Sequence, residues 1–267
     1  MLINIKLKDG SIKEIEDNST VFDLAQSISR NLGKSALVGE VNGCLVDLNY
    51  KLKNNDEVNI LSYDSEKAVE VIRHSSAHIM AQAVKRLYKN AKLAIGPSIA
   101  NGFYYDFDID TPIIKEDLEK IEKEMNKIVK ENLKFERIDV SKEEALKIMK
   151  DNDEIYKVEL INDLPEGEKI SLYKQGDYID LCRGPHIPST KYAKAFKLIS
   201  VAGAYWRGNE KNKMLQRVYG IAFSNLKELE IHLHNLEEAK KRDHRKLGKE
   251  LNLFTFAEEG PGFPFFL

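Results

Sequence analysis

The sequence is poor in cysteine. Among 267 residues there are two, Cys44 and Cys182, far apart, so a disulfide framework is excluded and each is expected as a thiol. It also lacks long apolar runs. None approaches the ~18 residues of a membrane-crossing helix, and the start, MLINIKLKDG, has no signal-peptide core, so the expectation is a cytoplasmic protein with no membrane association. Neither sign of charge dominates: 41 basic against 43 acidic side chains give a net charge of -2, which excludes a generally basic nucleic-acid coat and leaves any such surface local. Hydrophobic residues at 42% and charged ones at 31% exclude wholesale disorder, and the length allows about two domains, each with a proper core.

What charge there is divides unevenly. Residues 1–62 carry 7 basic and 9 acidic side chains and residues 63–190 carry 20 and 25, whereas residues 191–250 carry 14 and 7. Residues 1–61 read as short strands around one helix. Ile3, Ile5 and Leu7 alternate into an Asp9-Gly10 turn; Thr20 caps a helix with Asp23 as its box partner, and Gly33 is expected to stop it. Apolar pieces at Leu37-Val38, Leu45-Val46 and Val58–Leu61 complete the element order of a β-grasp domain.

The next helix is predicted from about Ser65 to Asn90, with a stripe of Ala68, Ile72, Ile79, Ala83 and Leu87 and with His74 and His78 almost opposite it. An aromatic hairpin (Ile95 to Phe107), a charged helix with a seam of Ile114, Leu118, Ile121, Met125 and Ile128, and a short helix capped by Ser141 follow. Strand-like stretches are read at Phe135–Val140, Ile155–Ile161, Ile170–Tyr173, Tyr178–Leu181, Phe196–Val201 and Met214–Tyr219. The unit is α+β. A helix from Ser224 to Lys241 with a narrow leucine stripe suits a linker, and the apolar end from Gly260 to Leu267, Pro261 included, suggests a chain that once continued.

The sharpest chemical signal is His74-x-x-x-His78 together with Cys182-x-x-x-His186. Four-residue spacing on a helix stacks both imidazoles on one face, and a Cys-Arg-Gly-Pro-His turn can present two more ligands. Such a Cys-His-His-His cluster could be a zinc centre, or a metal-free site in which a neutral histidine orients water while neighbours stabilise an oxyanion. The spacing does not separate the two. Asp180 could fix a histidine tautomer or bind an amine. Phe103, Tyr104 and Tyr105 could stack a base, and Trp206-Arg207-Gly208 after Ala202-Gly203-Ala204 would let a ligand approach the backbone closely. Lys191, Lys194, Lys197, Arg207, Lys211, Lys213 and Arg217 form a basic concentration suited to phosphate.

The strings RHSSAHIM, IGPSIANGFYYDF, DLCRGPHIPST, AGAYWRG, NKMLQRVYG and KRDHRKLGKELNLF resemble, in that order and spacing, bacterial threonyl-tRNA synthetase. The resemblance covers the whole chain. It implies a TGS (ubiquitin-like β-grasp) domain over 1–62, an editing domain with an antiparallel sheet over 63–223, a linker helix over 224–243, and the start of a class II catalytic domain over 244–267. The rest of that catalytic domain, with its ATP, magnesium and zinc sites, and the anticodon-binding domain would lie beyond Leu267, leaving no competent ligase.

The implied chemistry is proofreading: hydrolysis of the ester of mischarged seryl-tRNA(Thr). His74, His78, Cys182 and His186 would form the editing core, Asp180 would bind or orient the serine, and His74 and Lys157 would position water. Tyr104, Tyr105, Gly203, Trp206 and Arg207 would face the tRNA end. The resemblance implies no obligatory metal, zinc at the four His/Cys residues remaining open, and a tRNA(Thr) 3′ end carrying serine as partner. A homodimer is expected only through the missing core, with this part monomeric. Two other readings stand beside it: a non-catalytic tRNA-binding module, and a zinc-dependent hydrolase of the alanyl editing type, whose His/Cys pattern is shared.

Overall fold

The computed structural model describes residues 1–256, 260 and 262–267, so Pro261 of the apolar end lies outside the described residues. It divides into two units, Met1–Asn225 and Leu226–Leu267.

The first unit begins with β1 (Leu2–Leu7), β2 (Ile12–Glu16), α1 (Val21–Ile28), α2 (Arg30–Ser35), β3 (Val38–Val41), β4 (Cys44–Val46) and β5 (Glu57–Leu61). The strands form a sheet in the order β2-β1-β5-β3-β4, with β1 and β5 parallel, over a buried core that includes Ile3, Ile5, Leu24 and Val58. The Asp9-Gly10 turn and the Thr20/Asp23 capping box form as read, with Gly10 at φ 85. The single helix does not. Ser29 is extended (φ -161, ψ 150), ends α1 and caps α2 through its hydroxyl, so Gly33 lies inside α2 rather than stopping a helix. The close approach of the two helices needs glycine there, since a Cβ would lie 2.7 Å from Cγ of Gln26.

Next come α3 (Glu66–Leu87), β6 (Lys92–Leu93), β7 (Ser98–Ile99), β8 (Gly102–Asp108), α4 (Leu118–Glu131), β9 (Phe135–Val140), α5 (Lys142–Asp151), α6 (Ile155–Asn162), β10 (Ile170–Gln175), β11 (Tyr178–Leu181), β12 (Ala195–Tyr205) and β13 (Met214–Phe223). Two antiparallel sheets result: β12-β13-β8-β6, with β7 also on β8, and β11-β10-β9. Helix α3 is enclosed rather than one-sided. Fifteen of its 22 residues are buried, the expected stripe and the opposite face alike, while Leu87 is exposed. Alanines at 77, 81 and 83 keep it slim, and Phe103, Tyr105, Phe107, Ile121 and Met125 share its core. Leu37, Val38 and Leu61 of the β-grasp sheet join the same core, so the two domains pack as one body.

The seam of α4 starts at Leu118; Ile114 lies outside it and is exposed. One expected strand is a helix. Ile155–Ile161 alternates poorly and is rich in β-branched residues, but it folds as α6, with Ile161 buried in a core shared with Ala145 and Met149 of α5 and with Glu154 just before it anchored to the Leu93 backbone (2.7 Å) and Lys85 (2.6 Å). Tertiary partners override propensity here.

The second unit holds α7 (Leu226–Lys241), α8 (His244–Glu250) and a hairpin of β14 (Phe254–Phe256) and β15 (Pro264–Phe266). In α7, Leu229 is buried but Leu226 is exposed. No helix among the described residues is long and apolar enough to cross a membrane.

Candidate functional site

Four residues from two elements converge. His74 and His78 stand one turn apart on α3, and Cys182 and His186 bracket the loop that leaves β11; their ligand atoms all lie within 4.8 Å of one another. Nε2 of His74 is 3.0 Å and Nε2 of His186 is 3.3 Å from Sγ of Cys182. Cys182 is held through its backbone, its N–H donating to Ser171 O (3.2 Å) and its carbonyl accepting from the Ser171 hydroxyl (2.6 Å). The His186 ring lies parallel to Phe135 (4.6 Å between centroids) and close to parallel to His74 (4.5 Å), and its Nδ1 meets the Ser75 hydroxyl at 3.0 Å. His74 and Cys182 are half-buried, whereas His78 and His186 are buried, so any ligand meets the first two before the others.

Beside the cluster lies a buried ion pair. Lys157 Nζ, on α6, is 2.7 Å from Asp180 Oδ1, with side chains 4% and 1% exposed. Asp180 also accepts from the hydroxyls of Tyr105 (2.6 Å) and Tyr178 (3.0 Å) and from the Leu181 N–H (2.8 Å). Nδ1 of His78 is 3.6 Å away, too far for a hydrogen bond. Burial works to raise the Asp180 pKa, but the charge of Lys157, with hydrogen bonds from Lys157 and Tyr105, leaves it lowered. Without a ligand its lone pairs are thus occupied, and Asp180 orients Lys157, Tyr105 and Tyr178.

Burial sets the protonation of the cluster. It drives His74 down to about 4 and His78 down to about 3, lowers His186 well below the usual histidine value, and pushes the Cys182 thiol up to about 12. In the absence of an ion the four groups are therefore neutral at pH 7: three imidazoles and a thiol. The donor set, three nitrogens and one sulfur, also suits zinc. Tetrahedral zinc would set S···N near about 3.5 Å, so the two observed separations would open by a few tenths of an ångström.

The residues expected to face tRNA separate. Tyr105 is 1% exposed, and its hydroxyl donates to Asp180 and accepts from Lys157 (2.9 Å), so its ring is not a stacking surface. Gly96 makes room for that ring, since a Cβ there would lie 2.0 Å from it. Tyr104 is half-buried, with the Arg217 guanidinium 3.9 Å from its centroid. Trp206 is buried against Tyr156 and donates to Glu159 on α6 (3.0 Å), and Arg207 pairs with Glu159 and Asp163. These two clamp the helix that carries Lys157. Gly203 lies on the exposed end of β12, over Met214. Of the seven basic residues read as a phosphate surface, Lys197, Arg207, Lys213 and Arg217 are each paired with a carboxylate.

Sequence reasoning missed Ser75, Tyr178, Ser171 and Asp47. Ser75 was legible as the neighbour of His74 in a chemically dense string; the others are joined to the site only by folding.

Residues 3–62 match the TGS domain, and residues 170–219 match the threonyl and alanyl tRNA synthetase second additional domain. The chain is 60% identical over 266 residues to the threonine–tRNA ligase of Acetivibrio thermocellus, covering 100% of this chain and 42% of that protein. The chain belongs to the threonyl-tRNA synthetase family. The ligase of Clostridium tetani is 62% identical over 265 residues (99% of this chain, 42% of the relative), and that of Clostridioides difficile 61% over 266 (100% and 42%). The chain thus spans about two fifths of the length of these relatives. Asp180, Cys182 and His186 fall within the matched second additional domain, whereas His74, His78 and Lys157 precede it in sequence and join it in space.

Proposed function

We propose that this chain hydrolyses the ester of seryl-tRNA(Thr), removing serine from the tRNA 3′ end. The observation that carries the reading is a buried ammonium, Lys157, held by Asp180 beside the cluster, with one neutral imidazole, His74, at the half-buried mouth. Serine lacks one methyl of threonine, and a missing methylene is worth only ~1–3 kcal/mol of discrimination, so a synthesis pocket needs a second site that destroys the wrong ester.

The residues divide the work. His74, neutral at pH 7, orients water and accepts its proton as the water oxygen attacks the ester carbonyl. Lys157 supports the water and offsets the negative charge of the tetrahedral intermediate, and collapse breaks the bond to the ribose oxygen, which takes the proton back from His74. His78 and His186 hold the packing around His74. Cys182 is a hydrogen-bond partner and not the nucleophile: burial pushes its thiol up to about 12, so it stays protonated at pH 7. Tyr104 and the exposed end of the β12–β13 hairpin supply the surface for the terminal nucleotides.

The convergence of four donor atoms within 4.8 Å favours zinc-dependent hydrolysis as the second reading. Three of His74, His78, Cys182 and His186 would hold the ion and leave a position for a water whose pKa it would lower to about 7, whereas all four together would make a closed, structural centre. The test compares release of serine and threonine from tRNA(Thr) by untreated and chelator-stripped protein. Serine-selective release that survives stripping supports the metal-free account; loss restored by zinc supports the second; release of neither ester overturns both.

A further inference from the structure

The Cys182–His186 loop is not held by its own domain alone. Asp47, in the turn after β4 of the β-grasp domain, accepts through Oδ1 from the His186 backbone N–H (2.8 Å) and through Oδ2 from the Tyr173 hydroxyl (2.6 Å). Tyr173 in turn packs its ring edge against the His186 ring (4.4 Å between centroids) and occupies the space beside Gly184, where a Cβ would lie 1.9 Å from its hydroxyl. One carboxylate therefore fixes the backbone of His186 directly and the middle of the loop through Tyr173.

Asp47 is itself rigidly placed. Its carbonyl accepts from Tyr50 N–H (3.0 Å), the next residue, Leu48, is buried in the β-grasp core, and Leu37, Val38 and Leu61 share the core of α3. Tyr63 adds a hydrogen bond to the Tyr192 carbonyl (3.0 Å). Of the groups that hold His186, Ser75 comes from α3 and Phe135 from β9; only Asp47 comes from the β-grasp domain.

We propose that the β-grasp domain is a working part of the hydrolytic site, with Asp47 as a positioning residue that sets the Cys182–His186 loop. This rests on the hydrolytic reading for its effect on rate, but not for its effect on the loop. Asp47 borders a cleft of about 620 Å³, so truncating it opens onto that cleft and leaves no sealed void. Asn at position 47 keeps an acceptor for the His186 N–H, and its amide can donate to a reoriented Tyr173 hydroxyl.

The experiment uses the whole chain, as wild type, Asp47→Ala and Asp47→Asn, with two readouts. Hydrogen exchange of the peptide spanning residues 182–190, without any substrate, is expected to speed up at least tenfold in Asp47→Ala, with β12 and β13 unchanged and with Asp47→Asn close to wild type. Seryl-tRNA(Thr) hydrolysis is expected to lose at least tenfold in kcat at unchanged KM in Asp47→Ala and to recover in Asp47→Asn. Unchanged loop exchange in Asp47→Ala overturns the proposal, and so does wild-type kcat despite a loosened loop. A uniform rise in exchange across all peptides also overturns it, because Asp47 would then be a general stabiliser. A wild-type chain that cleaves neither ester, while the loop loosens in Asp47→Ala alone, refutes the hydrolytic reading and with it the effect on rate, but leaves the loop contact established.

Discussion

The Lys157–Asp180 pair offers the sharpest energetic test. Nζ and Oδ1 are 2.7 Å apart with side chains 4% and 1% exposed, so removing either partner strands a charge that water cannot reach. Breaking such a pair costs about 3–5 kcal/mol, a large share of the roughly 5–15 kcal/mol that stabilises a whole domain. Lys157→Met leaves a carboxylate with two tyrosine hydroxyls and one backbone amide, so its loss belongs near the lower bound. Asp180→Asn leaves a buried ammonium with two neutral acceptors, the new amide oxygen and the Tyr105 hydroxyl, and no counter-charge, and belongs near the upper. The double variant removes both charges and keeps the volume, so its deficit is expected to be about 1–2 kcal/mol, giving a coupling of at least about 3 kcal/mol in a double-mutant cycle. Urea unfolding at pH 7, followed by tryptophan fluorescence of the sole Trp206, measures all four corners. Additive losses, or single losses below about 1 kcal/mol, would show that the pair is solvated or not formed and would remove the ammonium from the proposed chemistry.

Other consequences concern neighbouring elements. Arg86 joins α3 to α4 through Glu124 and Glu131, whose pKa values are lowered chiefly by hydrogen bonds from Lys127 and from Arg86 respectively. Their stabilisation is present above their unfolded values and lost as pH falls through the lowered folded ones, so Arg86→Met should flatten the acid limb of stability against pH and, Glu131 being well exposed, cost only about 1 kcal/mol at pH 7. An unchanged acid limb would refute the clamp. Gly184 has φ +73 and its Cβ would lie 1.9 Å from the Tyr173 hydroxyl and 2.5 Å from the carbon bearing it. Gly184→Ala should therefore lower ester hydrolysis at least tenfold, and adding Tyr173→Phe should not restore it; rescue by that second change would show that the oxygen alone was the obstacle. Trp206→Ala should cost about 3–5 kcal/mol in thermal unfolding through loss of its packing on Tyr156. Weakened tRNA binding with unchanged stability would instead return the indole to the role of a base platform.

How far the sequence could be read depended on whether the signal was local. The β-grasp turn at Asp9-Gly10, the capping boxes of Thr20 and Ser141, and the amphipathic seam from Leu118 to Ile128 are each set by neighbours within a few residues, and each forms. The break at Ser29 and the helix at Ile155–Asn162 depend on partners elsewhere, Glu154 being fixed by Lys85 and Leu93. In the site, the two i, i+4 pairs announced themselves by spacing, and folding brings their four donor atoms together. Nothing local shows that Asp180 is filled by two tyrosines, that Tyr105 is closed to solvent, or that Asp47 crosses from another domain.

The central claim is that an ester-cleaving centre is built around His74. Single-turnover deacylation of seryl-tRNA(Thr) and threonyl-tRNA(Thr), at protein concentrations high enough to saturate the tRNA, tests it most directly. The account predicts fast release of serine, slow release of threonine, and loss of serine release in His74→Ala with tRNA binding retained. Equal rates for His74→Ala and wild type, or no cleavage of either ester by a chain that still binds tRNA, would contradict it and leave the cluster a structural or binding element.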